Sequence, residues 1–200
     1  MPEYHLDTAE APAAFESASD MVKGFIEAAF FSSTSCYHSS RFFGAEEQAE
    51  ISEGTADGTI PEDAGAVDLE PASLQSVIRL CADFAERADS LLQRAYALGY
   101  EEEQAGHDFY FTRAGHGVSF KDREELSECE DSERKAELQA EMRAEGTTPA
   151  RWGQLLDMVK ALDGNLAEEL CEAAGRREVN LYAYQDEAAP CGFYVAIDCL

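Results

Sequence analysis

Six side chains that could take part in chemistry lie close together near the middle of the chain. They are His107, Asp108, Arg113, His116, Asp122 and Arg123. In a functional interpretation, either histidine is a general base or a metal ligand, and an arginine clamps an anionic group. In a structural interpretation, His116 is a turn residue between two glycines and Asp122 bridges to Arg113. We favour the second and expect no metal and no cofactor, because only two histidines and two aspartates are available as ligands.

The segment that carries these residues is predicted to be a β-hairpin. Apolar and polar side chains alternate in residues 107–112 and again in residues 118–122, which is typical of half-buried strands. Gly115 and Gly117 lie between the two runs and allow the positive φ angles of a tight turn. The hairpin would place all six polar side chains on one small element.

A second hairpin is predicted near the C-terminus, where alternation resumes in residues 179–184 and 193–199. Helices are predicted in residues 17–31, 71–98, 149–162 and 166–174, and in the segment that precedes Thr148. Pro71 and Pro149 each suit a first helical turn, and Asp163-Gly164-Asn165 interrupts the last pair. The predicted fold class is α+β: two antiparallel β-hairpins form a small sheet packed by four to five helices.

The 200 residues suit one domain. We expect a flexible arm at residues 1–16 and a single domain over 17–200. This domain would carry an acidic loop at residues 42–70 and an acidic helical insertion at residues 124–148. The N-terminus is acidic and polar and no apolar run is long enough to span a bilayer, so we expect a cytoplasmic protein.

The six cysteines show no C-x-x-C spacing. A zinc site built from them is therefore not expected. Buried free thiols are the expected state, since cysteine behaves as a small apolar residue in the core of a cytoplasmic protein.

The charge is the strongest indication of function. Forty-one acidic residues against fifteen Lys and Arg give a formal net charge of -26. Such a chain repels nucleic acid and anionic membranes, and it attracts the basic surfaces of proteins that grip nucleic acid. An alternative stays open, in which the acidity is a surface adaptation to a salt-rich host.

Two acidic segments are candidates for contact with a basic partner. On a helix, the glutamates of the insertion recur at three- and four-residue steps, about 5 to 6 Å apart along the axis, close to the spacing of phosphates on a strand. A salt-bridged, solvated helix explains the same pattern, because lysine and arginine residues lie among these acids. The candidate residues are Glu46, Glu47, Glu50, Glu53, Glu62 and Asp63 in the loop and Glu130, Glu133, Glu137 and Glu141 in the insertion.

Residues 103–123, EQAGHDFYFTRAGHGVSFKDR, resemble the pattern EQAGHDFWLTRNGHGAGFWDR of a family of small proteins from phages, prophages and mobile elements. Residues 25–34, FIEAAFFSST, are similar to the family's YIEAALWSST, and residues 179–182 resemble its VDLY. The likeness covers most of the chain except about 124–165, and it departs from the pattern within 110–121. It implies a phage or plasmid accessory protein acting in the host cytoplasm, and it implies no particular reaction.

No P-loop, dinucleotide fingerprint or nucleophile elbow is present. We therefore expect a non-enzymatic acidic inhibitor that mimics nucleic acid and occupies the basic groove of a host defence protein, such as a restriction or CRISPR effector. One alternative is a nucleotide- or metal-binding protein or enzyme that uses residues 107–123. Another is an acidic protein without a defence role. A homodimer is compatible with the sequence.

Overall fold

The computed structural model describes residues 11–33, 64–129, 131–187, 189 and 192–199. Within these residues, eight α-helices and one pair of antiparallel strands form an α+β architecture, which confirms the predicted class. The helices are α1 (Ala11–Glu16), α2 (Asp20–Ser33), α3 (Pro71–Arg87), α4 (Asp89–Ala97), α5 (Glu102–Ala114), α6 (Ser132–Arg143), α7 (Pro149–Asp163) and α8 (Leu166–Ala174). The strands are β1 (Val179–Gln185) and β2 (Phe193–Cys199).

The first predicted hairpin is wrong. Residues 107–112 belong to helix α5, and residues 120–122 form a short 3-10 turn. On a helix, Ala105 and Phe109 lie four residues apart on one face, and both are fully buried. Glu102 and Glu103 lie in the first turn, where their negative charges interact favourably with the positive end of the helix dipole. Gly115 ends the helix with a φ of 76°. These helix signals outweigh an alternation of only six residues.

Helices α2 and α5 pack together at the centre of the core. The apolar face predicted for α2 is buried, including Phe25, Ile26 and Phe30. The ring of Phe25 lies 5.5 Å from that of Phe109 and 5.3 Å from that of Tyr110 on α5, measured between centroids. These aromatic contacts fix how α5 lies against the rest of the molecule.

The predicted flexible arm is wrong for residues 11–16, which form α1. Phe15 on this helix is buried in the main core, with a relative exposure of 5%. Burial of one large aromatic side chain is enough to hold a helix too short to be stable alone. Residues 1–10 of the predicted arm lie outside the described residues.

The predicted acidic loop is also ordered at its end. A 3-10 turn spans Ala66–Asp68, and Leu69 forms a parallel bridge with Val195. The amide of Glu70 donates to the carbonyl oxygen of Val195 at 2.9 Å. Residues 64–70 are therefore attached to the sheet, where the side chain of Leu69 is buried. Residues 42–63 lie outside the described part of the chain.

The helix predicted over residues 71–98 is divided at Ala88 into α3 and α4. Pro71 is its first residue, as predicted, and Gly99 follows α4 with a φ of 94°. The apolar stripe of this pair faces the core, where Leu74, Phe84 and Ala95 are buried.

The C-terminal hairpin is confirmed. Its register pairs Val179 with Cys199 and Ala183 with Val195. The amide of Ile197 donates to the hydroxyl oxygen of Ser73 at 3.1 Å, so β2 is tied to α3.

Among the described residues, none of the helices is both long and apolar enough to span a membrane.

The predicted helical insertion is present as α6, which packs against α7. Leu138, Leu155 and Val159 form a small hydrophobic cluster of their own between these two helices. The hydroxyl of Thr148 accepts from the amide of Arg151 at 3.2 Å and so caps α7, as its position before Pro149 predicts.

Candidate functional site

The six predicted site residues do not lie on one hairpin, because His107, Asp108 and Arg113 belong to α5 and the other three follow it in the chain. His107 and Asp108 are successive residues of a helix and point about 100° apart. The structure brings Asp108 and Arg123 together and places Arg113, His116 and Asp122 in separate surroundings. Five local environments therefore have to be considered instead of one.

Asp108 is the centre of a buried polar network. Its side chain has no exposed surface, and it accepts two hydrogen bonds of 2.7 Å from Nε and Nη2 of Arg123. The Tyr100 hydroxyl donates to the same carboxylate at 2.6 Å, and Gln104 donates at 3.3 Å. Burial and the nearby Asp108 charge raise the pKa of Tyr100. A carboxylate with this many donors and no solvent contact holds structure and offers no site for a ligand.

Asp122 and His116 also make local contacts. The Asp122 carboxylate accepts from the backbone amide of Ser119 at 2.8 Å and closes the 3-10 turn, so the predicted bridge to Arg113 is wrong. The exposed His116 ring stacks on Tyr110 with centroids 5.7 Å apart. Both contacts agree with a structural interpretation of these two residues.

His107 lies against α2. Its Nε2 is 3.1 Å from Oε2 of Glu27, and both side chains are about one-fifth to one-quarter exposed. Glu103, one turn earlier on α5, completes a group in which each residue offers one ligand atom within 4.8 Å of the others. Sequence reasoning missed Glu27, which is eighty residues from His107. The spacing of Glu103 and His107, four residues on one helix, was the only local signal.

Two glycines hold α2 and α5 close together beside this group. A Cβ atom on Gly24 would collide with the carbonyl oxygen of Glu103, and one on Gly106 would collide with the carbonyl oxygen of Met21. The two backbones are therefore in direct contact, which sets the position of Glu27 relative to Glu103 and His107.

Arg113 lies in a cleft of about 630 Å³ together with Arg87 and Arg177. Its Nη1 makes one long hydrogen bond of 3.5 Å to the Ala174 carbonyl, and its buried Nε has no hydrogen-bond partner among the described residues. Burial, followed by the nearby charges of Arg177 and Arg87, lowers the pKa of Arg113. None of the three arginines forms an ion pair within the described part of the chain. Three carboxylates, those of Asp83, Glu86 and Glu172, also line the cleft, so the formal charges of its lining balance.

The acidic face predicted on the insertion is partly neutralised. Glu133, Glu137 and Glu141 are all exposed on α6. Glu137 pairs with Arg134 and Glu141 pairs with Arg151, each at 2.8 Å. These pairs are those of a salt-bridged, solvated helix. Glu130 and the loop acids Glu46, Glu47, Glu50, Glu53, Glu62 and Asp63 lie outside the described residues.

Most other basic side chains are held in ion pairs within the fold. Arg94 bridges Glu128 and Glu169, at 2.8 and 2.9 Å. Lys135 contacts Asp163 at 2.5 Å in the cleft between the insertion and the core. These cations are therefore already paired with acids of the same chain.

The described cysteines are free thiols, as predicted. Cys81 is buried, whereas Cys129, Cys171 and Cys199 are half-buried. Burial raises the pKa of Cys199 to about 11 and raises that of Cys81 further. Thiols with raised pKa values remain protonated at neutral pH and are poor nucleophiles.

Comparison with protein-family models, with curated proteins and with solved structures found no match to this chain. The resemblance of residues 103–123 to a phage and mobile-element family therefore stays a prediction.

Proposed function

We propose that this chain is a non-enzymatic acidic protein that binds the basic, nucleic-acid-binding surface of another protein. In the setting that the sequence resemblance implies, it acts in the host cytoplasm as the product of a phage or mobile element. Its partner there is a defence protein such as a restriction or CRISPR effector.

The supporting observation is the combination of a net charge of -26 with ion pairing of half of the described lysines and arginines inside the fold. Arg94, Arg123 and Lys135 each contact acids of the same fold. Many exposed acids are left without an ion-pair partner among the described residues, and they include Glu101, Glu102, Glu124, Glu125, Glu133 and Glu145. The outward field is therefore strongly negative, which favours association with a cationic groove.

The contact cannot depend on α6 alone, because Glu137 and Glu141 are already paired with arginines. An acid that stands in for a phosphate has to be free to meet a partner's lysine or arginine. In the described chain, the unpaired glutamates at the start of α5 and in the Glu124–Leu126 turn fit this requirement better.

Affinity for the partner is expected to fall at least about tenfold between 50 and 200 mM salt, because screening weakens exposed charge pairs. A pull-down from host lysate at low salt, followed by a salt-wash series, would recover the partner. Titration of the purified partner would then give the affinities. DNA should compete with this chain for the partner.

Either of two results would contradict this proposal. One is an affinity that does not change with salt. The other is a ternary complex in which the partner holds both DNA and this chain. As a matched pair, Glu124→Gln with Glu125→Gln removes two unpaired acids, whereas Glu137→Gln with Glu141→Gln removes two acids that Arg134 and Arg151 already neutralise. The first double variant should weaken binding more.

A second candidate function is the binding of a phosphate-bearing ligand in the cleft of Arg87, Arg113 and Arg177. The observation that favours it is the buried Nε of Arg113, which has no hydrogen-bond partner among the described residues and lies beside two further arginines that form no ion pair there. A phosphate satisfies arginine donors and offsets the burial, and then the repulsion by Arg177 and Arg87, that lower the pKa of Arg113.

Removal of two cleft charges with Arg87→Gln and Arg177→Gln is expected to weaken binding of inorganic phosphate and ATP by at least about tenfold, since a charge-assisted hydrogen bond contributes about 1.5–3 kcal/mol. Isothermal titration calorimetry measures both ligands. The control is Arg143→Gln, on α6 and outside the cleft. Equal phosphate affinity in the cleft variant and the control would rule out the site.

A further inference from the structure

We propose that Glu27, Glu103 and His107 form a binding site for a divalent transition-metal ion, of the zinc or manganese type, between helices α2 and α5. The three ligand atoms lie within 4.8 Å of one another. This inference rests on these side chains and is independent of the partner-binding function proposed above.

The donor set indicates the class of ion. One imidazole nitrogen and two carboxylate oxygens suit Zn²⁺ and Mn²⁺, whereas Ca²⁺ and Mg²⁺ prefer oxygen ligands alone. Two carboxylates also balance the charge of a divalent cation. The imidazole sets this group apart from the many exposed acidic residues of the chain.

The helices hold the donors in a suitable arrangement. Glu103 and His107 are four residues apart on α5, so their side chains project from the same face. Glu27 reaches this face from α2, with Oε2 already 3.1 Å from Nε2 of His107. An ion bound by both atoms at about 2.0–2.2 Å would take the place of the proton between them. The proton leaves to solvent or moves to Nδ1, and the neutral imidazole then binds the metal.

The glycine contacts make this arrangement rigid. Gly24 lies one turn before Glu27, and Gly106 immediately precedes His107; each is pressed against the backbone of the other helix. The ligands therefore belong to two helices that cannot easily slide past each other. Such preorganisation lowers the cost of bringing ligands together around an ion.

The ion can reach the site from solvent. Glu103 is exposed, and Glu27 and His107 are half-buried at the rim of the helix pair. Three protein ligands leave at least one coordination position of a tetrahedral ion for water or for a group on a partner molecule.

Calorimetric titration of the reduced full chain with ZnCl₂ and with MnCl₂ tests this site. We expect the wild type to bind one Mn²⁺ per chain, and to bind Zn²⁺ more tightly, following the usual order of affinities. Glu103→Gln and His107→Gln should each weaken binding more than about tenfold, since even the loss of an outer-shell partner has an effect of that size. Acidification should also weaken it, because protons compete for the ligands.

The matched control is Glu102→Gln, which removes an exposed acid from the same turn of α5 without touching the cluster. Its metal affinity should equal that of the wild type. Circular dichroism confirms folding of each variant, and the exposed Glu103 keeps the test valid if His107→Gln does not fold.

Two results would overturn the proposal. In one, the wild type binds neither ion at up to about 1 mM. In the other, both ligand variants bind as well as Glu102→Gln does. Mn²⁺ separates this second case from zinc capture by cysteines, because thiolates select zinc and carboxylates suit manganese.

Discussion

Replacing Asp108 with alanine is expected to lower the free energy of unfolding by about 3 kcal/mol, since removing one partner of a buried ion pair leaves the other uncompensated. The carboxylate has no exposed surface and accepts from Arg123, Tyr100 and Gln104. Without it, the Arg123 guanidinium loses both of its short hydrogen bonds. The Arg123 side chain is 27% exposed, so water can partly replace the two lost hydrogen bonds. The loss of stability is therefore expected at the lower end of the usual range of about 3–5 kcal/mol.

Urea denaturation of Asp108→Ala beside Asp122→Ala measures this effect. Asp122 is an exposed carboxylate in the same region that caps one short turn, so its loss should cost about 1 kcal/mol or less. Combining Asp108→Ala with Arg123→Leu should recover part of the stability, because no unpaired charge is left behind. Equal losses in the two aspartate variants would show that Asp108 is not a structural centre. Unchanged stability with a loss of binding would assign it to a ligand site instead.

The segment around Asp108 shows where a sequence pattern is ambiguous. Phe109 and Phe111 alternate with polar residues as in a strand, yet Ala105 and Phe109 repeat as in a helix. A run of six residues fits both periods. The decision comes from the tertiary structure, because α2 offers an aromatic surface that buries Phe109 and Tyr110 together. Two successive residues on the same buried face are compatible with a helix and not with a strand.

Several elements with local signals at their ends were predicted correctly, although α5 was not. Pro71 and the Thr148-Pro149 pair begin helices, and Gly164 and Gly175 follow the ends of two others. The C-terminal hairpin was also predicted correctly, with strands at Val179–Gln185 and Phe193–Cys199. Such signals act within one turn or one strand, so they can be read without knowing the fold.

The candidate metal site could not be predicted in the same way. Glu103 and His107 are near in sequence, but Glu27 meets them only because α2 and α5 pack side by side. The cleft of Arg87, Arg113 and Arg177 likewise draws on three separated segments. Contacts between distant residues depend on the packing of whole helices, and a single sequence contains no direct record of them.

Replacing Gly106 with alanine is expected to destabilise the protein by about 3 kcal/mol, at the upper end of the usual cost of overpacking. In an exposed helix the same change stabilises by up to about 1 kcal/mol, because alanine is the better helix former. Here the new methyl group would collide with the carbonyl oxygen of Met21, and it would lie 2.8 Å from the amide nitrogen of Phe25. Since both obstacles are backbone atoms of a buried helix, no side-chain rotation can relieve the clash. The helices must move apart, which loosens the packing of Phe25 on Phe109.

Gly153→Ala is the matched control for this prediction. Gly153 lies within α7, and a Cβ atom there meets no atom of the described residues within 4 Å. Its replacement should leave stability unchanged or raise it by up to about 1 kcal/mol, so the two glycine variants are expected to shift the urea midpoint in opposite directions. If Gly106→Ala were as stable as Gly153→Ala, the α2 and α5 backbones would not be in contact. The geometry proposed for Glu27, Glu103 and His107 would then lose its support, because that contact is what holds the three ligands together.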